Sequence, residues 1–287
     1  AAIFKSKFGT KLDLIDELCR RIYTMSQYQM PSYVSASDRA QSDKLFVSEH
    51  FNQNRVIDNL KEYIPELSES HNVADTPVFF GVDAQNELHV CFRGTPPSFY
   101  TRAFDHNVEK DGPGSATFLS IHKNLLKSVE GKIKKIREDN KAGQDVIVNI
   151  SGHSLGGAFA QRLIVDCIEK FKDQDITFRG WFLQSAPICW GDQSDILALD
   201  DKKIADSLNN GKVKLDIIVG IREGDPVSAA GSLLTSTILT EDKMPKNFNV
   251  FLKSFPLTAV SFMLGVVGMF LNRVLPFHSW SLAGSFN

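Results

Sequence analysis

Val146-Ile147-Val148-Asn149-Ile150-Ser151-Gly152-His153-Ser154-Leu155-Gly156-Gly157 is the stretch on which the reading of this chain turns. Its first five residues form an apolar run, cut off from the helical pattern upstream at Gly143, and read as a buried strand. Gly152 to Gly157 follows directly and opens a helix expected over Leu155 to Phe171. In that context a G-x-S-x-G pattern has a chemical use. A serine on a sharp strand-to-helix turn takes a strained backbone, and its neighbours must lack bulk so that helix and strand can approach. The helix aims its positive end and unbonded N–H groups at an oxygen that becomes negative in acyl transfer. Ser154 is the candidate nucleophile.

Working outward, Leu12 to Met30 places Leu12, Ile15, Leu18, Cys19, Ile22 and Met25 at helical spacing, and a second helix is expected over Asn54 to Tyr63. Pro77 to Val82 and Glu87 to Phe92 are short apolar or alternating runs joined by Asp83-Ala84-Gln85-Asn86, the pattern of a hairpin. Phe118 to Glu138 returns to helical spacing, and strands are expected at Ile176 to Gln184 and Val213 to Ile221, separated by the polar stretch Gly191 to Lys212. Short apolar runs alternating with helices imply an α/β protein whose mainly parallel sheet is covered on both faces. No repeat or linker divides the 287 residues, so residues 1–287 read as one domain with an N-terminal helical region (10–70) and an apolar insert (250–275).

Composition removes several classes of function. The hydrophobic share of 43% is ample for one buried core, and 32 basic against 34 acidic side chains leave a net charge of -2, with no field to hold a nucleic acid. Cys19, Cys91, Cys167 and Cys189 are widely spaced, form no CxxC pair, and read as reduced, buried thiols; no metal and no cofactor are expected. The start, Ala1-Ala2-Ile3-Phe4, has neither Met nor a secretion signal and reads as a processed or trimmed terminus, which leaves localisation undetermined.

A serine hydroxyl needs a base, and behind a strand–serine–helix turn the partners follow in the order nucleophile, acid, histidine. Of the seven histidines only His278 follows Ser154 in the chain, so His278 is the base, while His153 packs beside the nucleophile. The acid belongs just beyond the carboxyl end of a strand, where it can hold the imidazole in one tautomer. Asp225, in Ile221-Arg222-Glu223-Gly224-Asp225-Pro226-Val227, fits; Asp192 and Asp216 are its rivals, with Asp216 inside the strand and Glu223 two residues early.

Phe92-Arg93-Gly94-Thr95, Gly152 to Gly157, Asp225-Pro226-Val227 and a late His278 stand in the order of a known family: the chain resembles the class 3 lipases of the α/β-hydrolase fold, over about two thirds of its length. The resemblance implies that Thr95 offers its amide and hydroxyl to an oxyanion, with the amide of Leu155 as the second donor. The ends of a strand and a helix could supply such converging donors. Three features depart from the family pattern. The usual His-x-Gly-Phe is missing before Phe118, Ser185-Ala186-Pro187 stands for Gly-x-Pro, and the insert before His278 is unusually apolar. They bear on the substrate and the lid.

Ser254 to Asn272 carries no charge, and as a helix it would be roughly 28 Å long, near the thickness of a hydrocarbon layer. A single crossing would put Asp225 and His278 on opposite sides of a membrane. Residues 255–271 therefore read either as a core or dimer-packing helix, or as an apolar rim in peripheral contact with lipid beside His278. A second lid segment is expected at Pro96 to Phe104, with Phe99, Tyr100 and Phe104. The expectation as a whole is a serine esterase acting on lipid esters through an acyl-enzyme. Its alternatives are an acyltransferase with the same triad, a catalytically silent lipase-like binding module and, on the weakest grounds, a peptidase.

Overall fold

Alternation of side chains along the strands divides the molecule into two packed layers with a sheet between them. The structure is a computed structural model and describes residues 2–25, 36–57, 77–95, 111–140, 144–190, 204–222, 231–232 and 247–255. Among the described residues, helices α1 (Ala2–Met25), α2 (Ala36–His50), α3 (Ser115–Asp139) and α4 (Leu155–Phe171) accompany nine strands. Seven of these, β1 (Phe51–Ile57), β2 (Val78–Asp83), β3 (Leu88–Phe92), β4 (Val146–His153), β5 (Ile176–Leu183), β7 (Lys214–Arg222) and β9 (Phe248–Phe255), form one sheet in that order. The first three pair antiparallel, and β3, β4, β5, β7 and β9 run parallel. Strands β6 (Cys189–Trp190) and β8 (Gly231–Ser232) make a separate small pair.

One face of the sheet carries Val78, Phe80, Val90, Val148, Ile150, Phe178 and Ile217, packed with the i, i+3, i+4 stripe Phe118, Ile121, Leu125, Val129, Ile133 and Ile136 of α3 and with Phe159, Leu163 and Ile168 of α4. The opposite face carries Phe79, Cys91, Trp181 and Ile218, covered by Leu12, Ile15, Leu18, Cys19 and Ile22 of α1. The expected architecture, a mainly parallel sheet with helices on both faces, is the one observed.

Three sequence expectations are corrected. Residues 54–57 belong to a strand and not to the expected helix Asn54–Tyr63: β1 pairs with β2, and Phe51 stacks edge-on against Phe79 at 4.9 Å, so cross-strand bonding outweighs local preference. The first helix begins at Ala2, ahead of the expected start at Leu12, and residues 26–30 lie outside the described residues. Residues 250–255 of the expected insert close the sheet as β9, because hydrogen bonds to β7 absorb an apolar run that reads locally as part of a longer hydrophobic segment. Residues 256–275 of that insert, and the lid segment Pro96 to Phe104, lie outside the described residues. Among the described residues no helix is long and apolar enough to cross a membrane.

On the α1 face a polar row crosses the sheet in register: His89, Asn149, Arg179, Asp216 and Asn249 are successive partners on β3, β4, β5, β7 and β9. Asn149 donates to Glu87 (2.8 Å) and accepts from the Trp181 indole (3.0 Å), while Asn249 donates to Asp216 (3.1 Å). Lys11 of α1 closes one end of the row, with its Nζ 2.6 Å from Asp83 and 3.0 Å from Glu87. Charges this deep persist when they are paired and hydrogen-bonded, as these are.

Candidate active site

Ser154 is the single residue between β4 and α4, and its backbone lies at φ 56°, ψ -127°. A non-glycine residue there costs about 1–3 kcal/mol and persists only when its surroundings fix it. They do so from three sides: Ser154 N donates to the Leu183 carbonyl (3.3 Å), and the Ser154 carbonyl accepts from the amides of Gly157 (2.9 Å) and Ala186 (2.9 Å). The glycines of the motif answer to close approach. A Cβ on Gly152 would lie 2.1 Å from the Gly156 carbonyl oxygen, and one on Gly156 would lie 2.3 Å from that of Phe92.

Ser185 stands against the same helix start and forms the second wall of the turn. It accepts from Gln161 Nε2 (2.8 Å) and donates to the Ala186 carbonyl (2.7 Å), so the departure at Ser185-Ala186-Pro187 builds a buried polar bracket behind Ser154. Leu155 is fully buried at the first turn of α4, where the backbone N–H groups lack helical partners.

Thr95 is reached from β3. The pairing of β3 with β4 ends at Phe92↔Gly152, and Arg93, Gly94 and Thr95 follow β3 directly. A Cβ on Gly94 would stand 3.2 Å from the Ser154 Cβ, so the turn that carries Thr95 packs directly on the Ser154 side chain. Thr95 itself is buried. The structure thus brings Ser154, Leu155 and Thr95 together at the carboxyl end of the parallel strands. Asp225 and His278 lie outside the described residues, as does Asp192.

The rival acid Asp216 does not reach this end. It is the third residue of β7, in register with Arg179 and thereby with Asn149, five residues before Ser154 along a neighbouring strand direction. At about 3.3 Å per residue that is roughly 16 Å. Its partners are Arg179 (3.5 Å) and Asn249 (3.1 Å).

His153 is buried, and its Nδ1 lies 2.9 Å from the hydroxyl of Tyr23 on α1. Tyr23 is not in the stripe read from the sequence of α1, because its contact with the turn before Ser154 needs the tertiary fold. All four cysteines are reduced and buried, with Cys19 and Cys91 at 3.7 Å between sulfurs.

Asp83, Glu87 and His89 form a cluster with metal-ligand chemistry, each offering one atom within 4.8 Å of the others. The Lys11 ammonium bonds both carboxylates and the Arg179 guanidinium lies 3.3 Å from Glu87, so two cations already occupy the carboxylates and the donor set does not fit a divalent cation. Burial pushes His89 toward its neutral form, which donates from Nε2 to Asp83 at 2.8 Å. Burial works against the Asp83 carboxylate, but the bonds from His89 and Lys11 outweigh it and hold its pKa well below the usual range.

Residues 94–180 match the family model for lipase (class 3), a segment that runs from the Gly94 turn through the serine elbow and into β5. Among solved structures, a mutant form of MDLA from Penicillium cyclopium is 16% identical, with a TM-score of 0.41 over 87% of this chain and 81% of that one. No curated protein matches the chain.

Proposed function

We propose that this chain, which resembles the class 3 lipases over residues 94–180, hydrolyses carboxylic esters of lipids through a covalent acyl-enzyme on Ser154. The match supports a lipid-ester hydrolase in general. The observation that carries the acyl-enzyme is Ser154 held at φ 56° between β4 and α4, because a fold that keeps a non-glycine residue in a costly conformation at the end of its central strand does so at functional sites.

Ser154 Oγ attacks the ester carbonyl while His278 takes its proton and Asp225 holds the imidazole. The tetrahedral oxyanion is met by the amides of Thr95 and Leu155 and the hydroxyl of Thr95. Collapse expels the alcohol, which receives the proton from the imidazolium, and water, deprotonated by the same imidazole, releases the acid. Acylglycerols and phospholipids are the substrate classes, and contact of residues 255–271 with a lipid surface belongs to the same reading.

The test is labelling by a fluorophosphonate probe together with hydrolysis of lipid esters, dissolved and in vesicles. Ser154→Ala is expected to lose both labelling and hydrolysis. Retained hydrolysis in that variant would overturn the assignment.

A further inference from the structure

The amino-terminal helix reaches both sides of the candidate site through one oxygen atom. Tyr23, near the end of α1, is buried, and its hydroxyl lies 2.9 Å from Nδ1 of His153, the residue immediately before Ser154. The same oxygen packs against Gly94, the residue immediately before Thr95. The fit is close enough that a Cβ on Gly94 would come within 2.3 Å of the Tyr23 oxygen. Four residues earlier on the same helix face, Cys19 meets Cys91 of β3 at 3.7 Å, so α1 is pinned at two levels to the strand that delivers Thr95.

The Tyr23 hydroxyl and His153 Nδ1 share a hydrogen bond that ties α1 to the turn before Ser154. A phenylalanine would fill the same space with the same apolar contacts. What the hydroxyl adds is this bond, made at the point where α1 also meets Gly94.

We infer that Tyr23 is a positioning residue: by hydrogen-bonding His153 while packing on Gly94, its hydroxyl sets the spacing between the nucleophile Ser154 and the oxyanion donor at Thr95. The inference rests on the proposed roles of Ser154 and Thr95. Its physical basis is that acyl transfer is sensitive to placement of the attacking atom and the donors on the scale of a fraction of an ångström, a scale on which one lost bond beside the site matters.

The experiment uses the full chain with Tyr23→Phe, His153→Leu and the double variant. Thermal unfolding is followed for each, kcat and KM are measured on a dissolved short-chain ester, and the rate of labelling by a fluorophosphonate is recorded. Tyr23→Phe is expected to lower kcat and the labelling rate together by about tenfold or more, with KM within about twofold. His153→Leu breaks the same link from the other side, so the double variant should be no slower than the slower single one.

A purely structural role would lower the unfolding temperature and leave kcat per folded molecule within about twofold, and that result overturns the inference, as do multiplicative losses in the double variant. Should Tyr23→Phe fail to fold, His153→Leu decides alone: an unchanged kcat overturns the inference, and a lower kcat at constant KM supports it. Ser154→Ala, run alongside, separates the two levels. If Ser154→Ala still labels, the nucleophile assignment fails; if it is silent while Tyr23→Phe works at the parent rate, only the role of Tyr23 falls.

Discussion

Gly94 and Tyr23 stand so close that a methyl group on the glycine would lie 2.3 Å from the phenol oxygen, and at 2.5 Å it would also strike the carbonyl oxygen of His153. The first atom belongs to a buried side chain held at its hydroxyl by His153, and the second to the backbone of the turn itself. Neither yields cheaply. Gly94→Ala is therefore expected to push the Thr95 turn away from Ser154, costing about 1–3 kcal/mol of stability by overpacking. Urea unfolding measures the cost. The fluorophosphonate labelling rate of the folded fraction should fall as well, since the displaced turn carries the proposed oxyanion donor.

Ser154 offers a test in which stability and activity move in opposite directions. At φ 56° a Cβ is strained whatever its chemistry, so Ser154→Ala keeps the strain while removing the hydroxyl. Ser154→Gly removes both. Both variants are expected to be inactive, and the glycine variant should be the more stable by about 1 kcal/mol, a difference read from their unfolding midpoints. Equal midpoints would mean that the surrounding bonds from Leu183, Gly157 and Ala186 impose no strain on this residue.

Much of the site was legible because its signals are local. The change from an apolar run to Gly152-His153-Ser154-Leu155-Gly156-Gly157 announces a strand, a turn and a helix within a dozen residues, and the hairpin of β2 and β3 shows the same economy. What could not be read depends on partners distant in sequence. Strand β1 has a polar sequence, and its state is settled by pairing with β2 and by Phe51 against Phe79. The roles of Tyr23 and of Lys11 exist only once α1 lies across the sheet, because their partners are 130 and 72 residues away. Asp225 and His278 were reached by elimination and chain order, and the described residues do not include them.

Asp16 predicts a pH effect of known sign. It is buried on α1, and burial raises its pKa to about 7 even though Arg20 lies 3.0 Å away. A folded pKa above the ordinary 3.8 means that the folded chain binds this proton more tightly than the unfolded one. The stabilisation is complete below pH 4 and is lost as pH rises toward 7. Asp16→Asn should flatten that part of the stability profile and leave the variant more stable than the parent at pH 8, by an amount that chemical denaturation at pH 5 and pH 8 measures. Asp83, whose pKa is held low, acts in the opposite sense: its stabilisation is present above its ordinary pKa and fails only as pH drops toward its lowered value. The two effects occupy different windows, so the decline between pH 4 and 7 belongs to Asp16.

Lys11 should matter to stability and not to chemistry. Its ammonium is the cation that faces both Asp83, which is almost wholly buried, and Glu87, and these in turn hold His89 and Asn149 in the row across the sheet. Lys11→Met keeps the length of the side chain and leaves the carboxylates without that charge. Breaking a buried pair from one side costs about 3–5 kcal/mol, and the partial exposure of Lys11 argues for the lower end. Adding Glu87→Gln to Lys11→Met should recover part of the loss, because one of the stranded charges is gone, and a double-mutant cycle on unfolding free energies reads that recovery. The row stands roughly 16 Å from Ser154 along β4, at the residue spacing of a strand, so the labelling rate per folded molecule should stay at the parent value in both variants. A Lys11→Met variant as stable as the parent would show that other groups, Arg179 at 3.3 Å from Glu87 first among them, carry the neutralisation that the geometry assigns to Lys11.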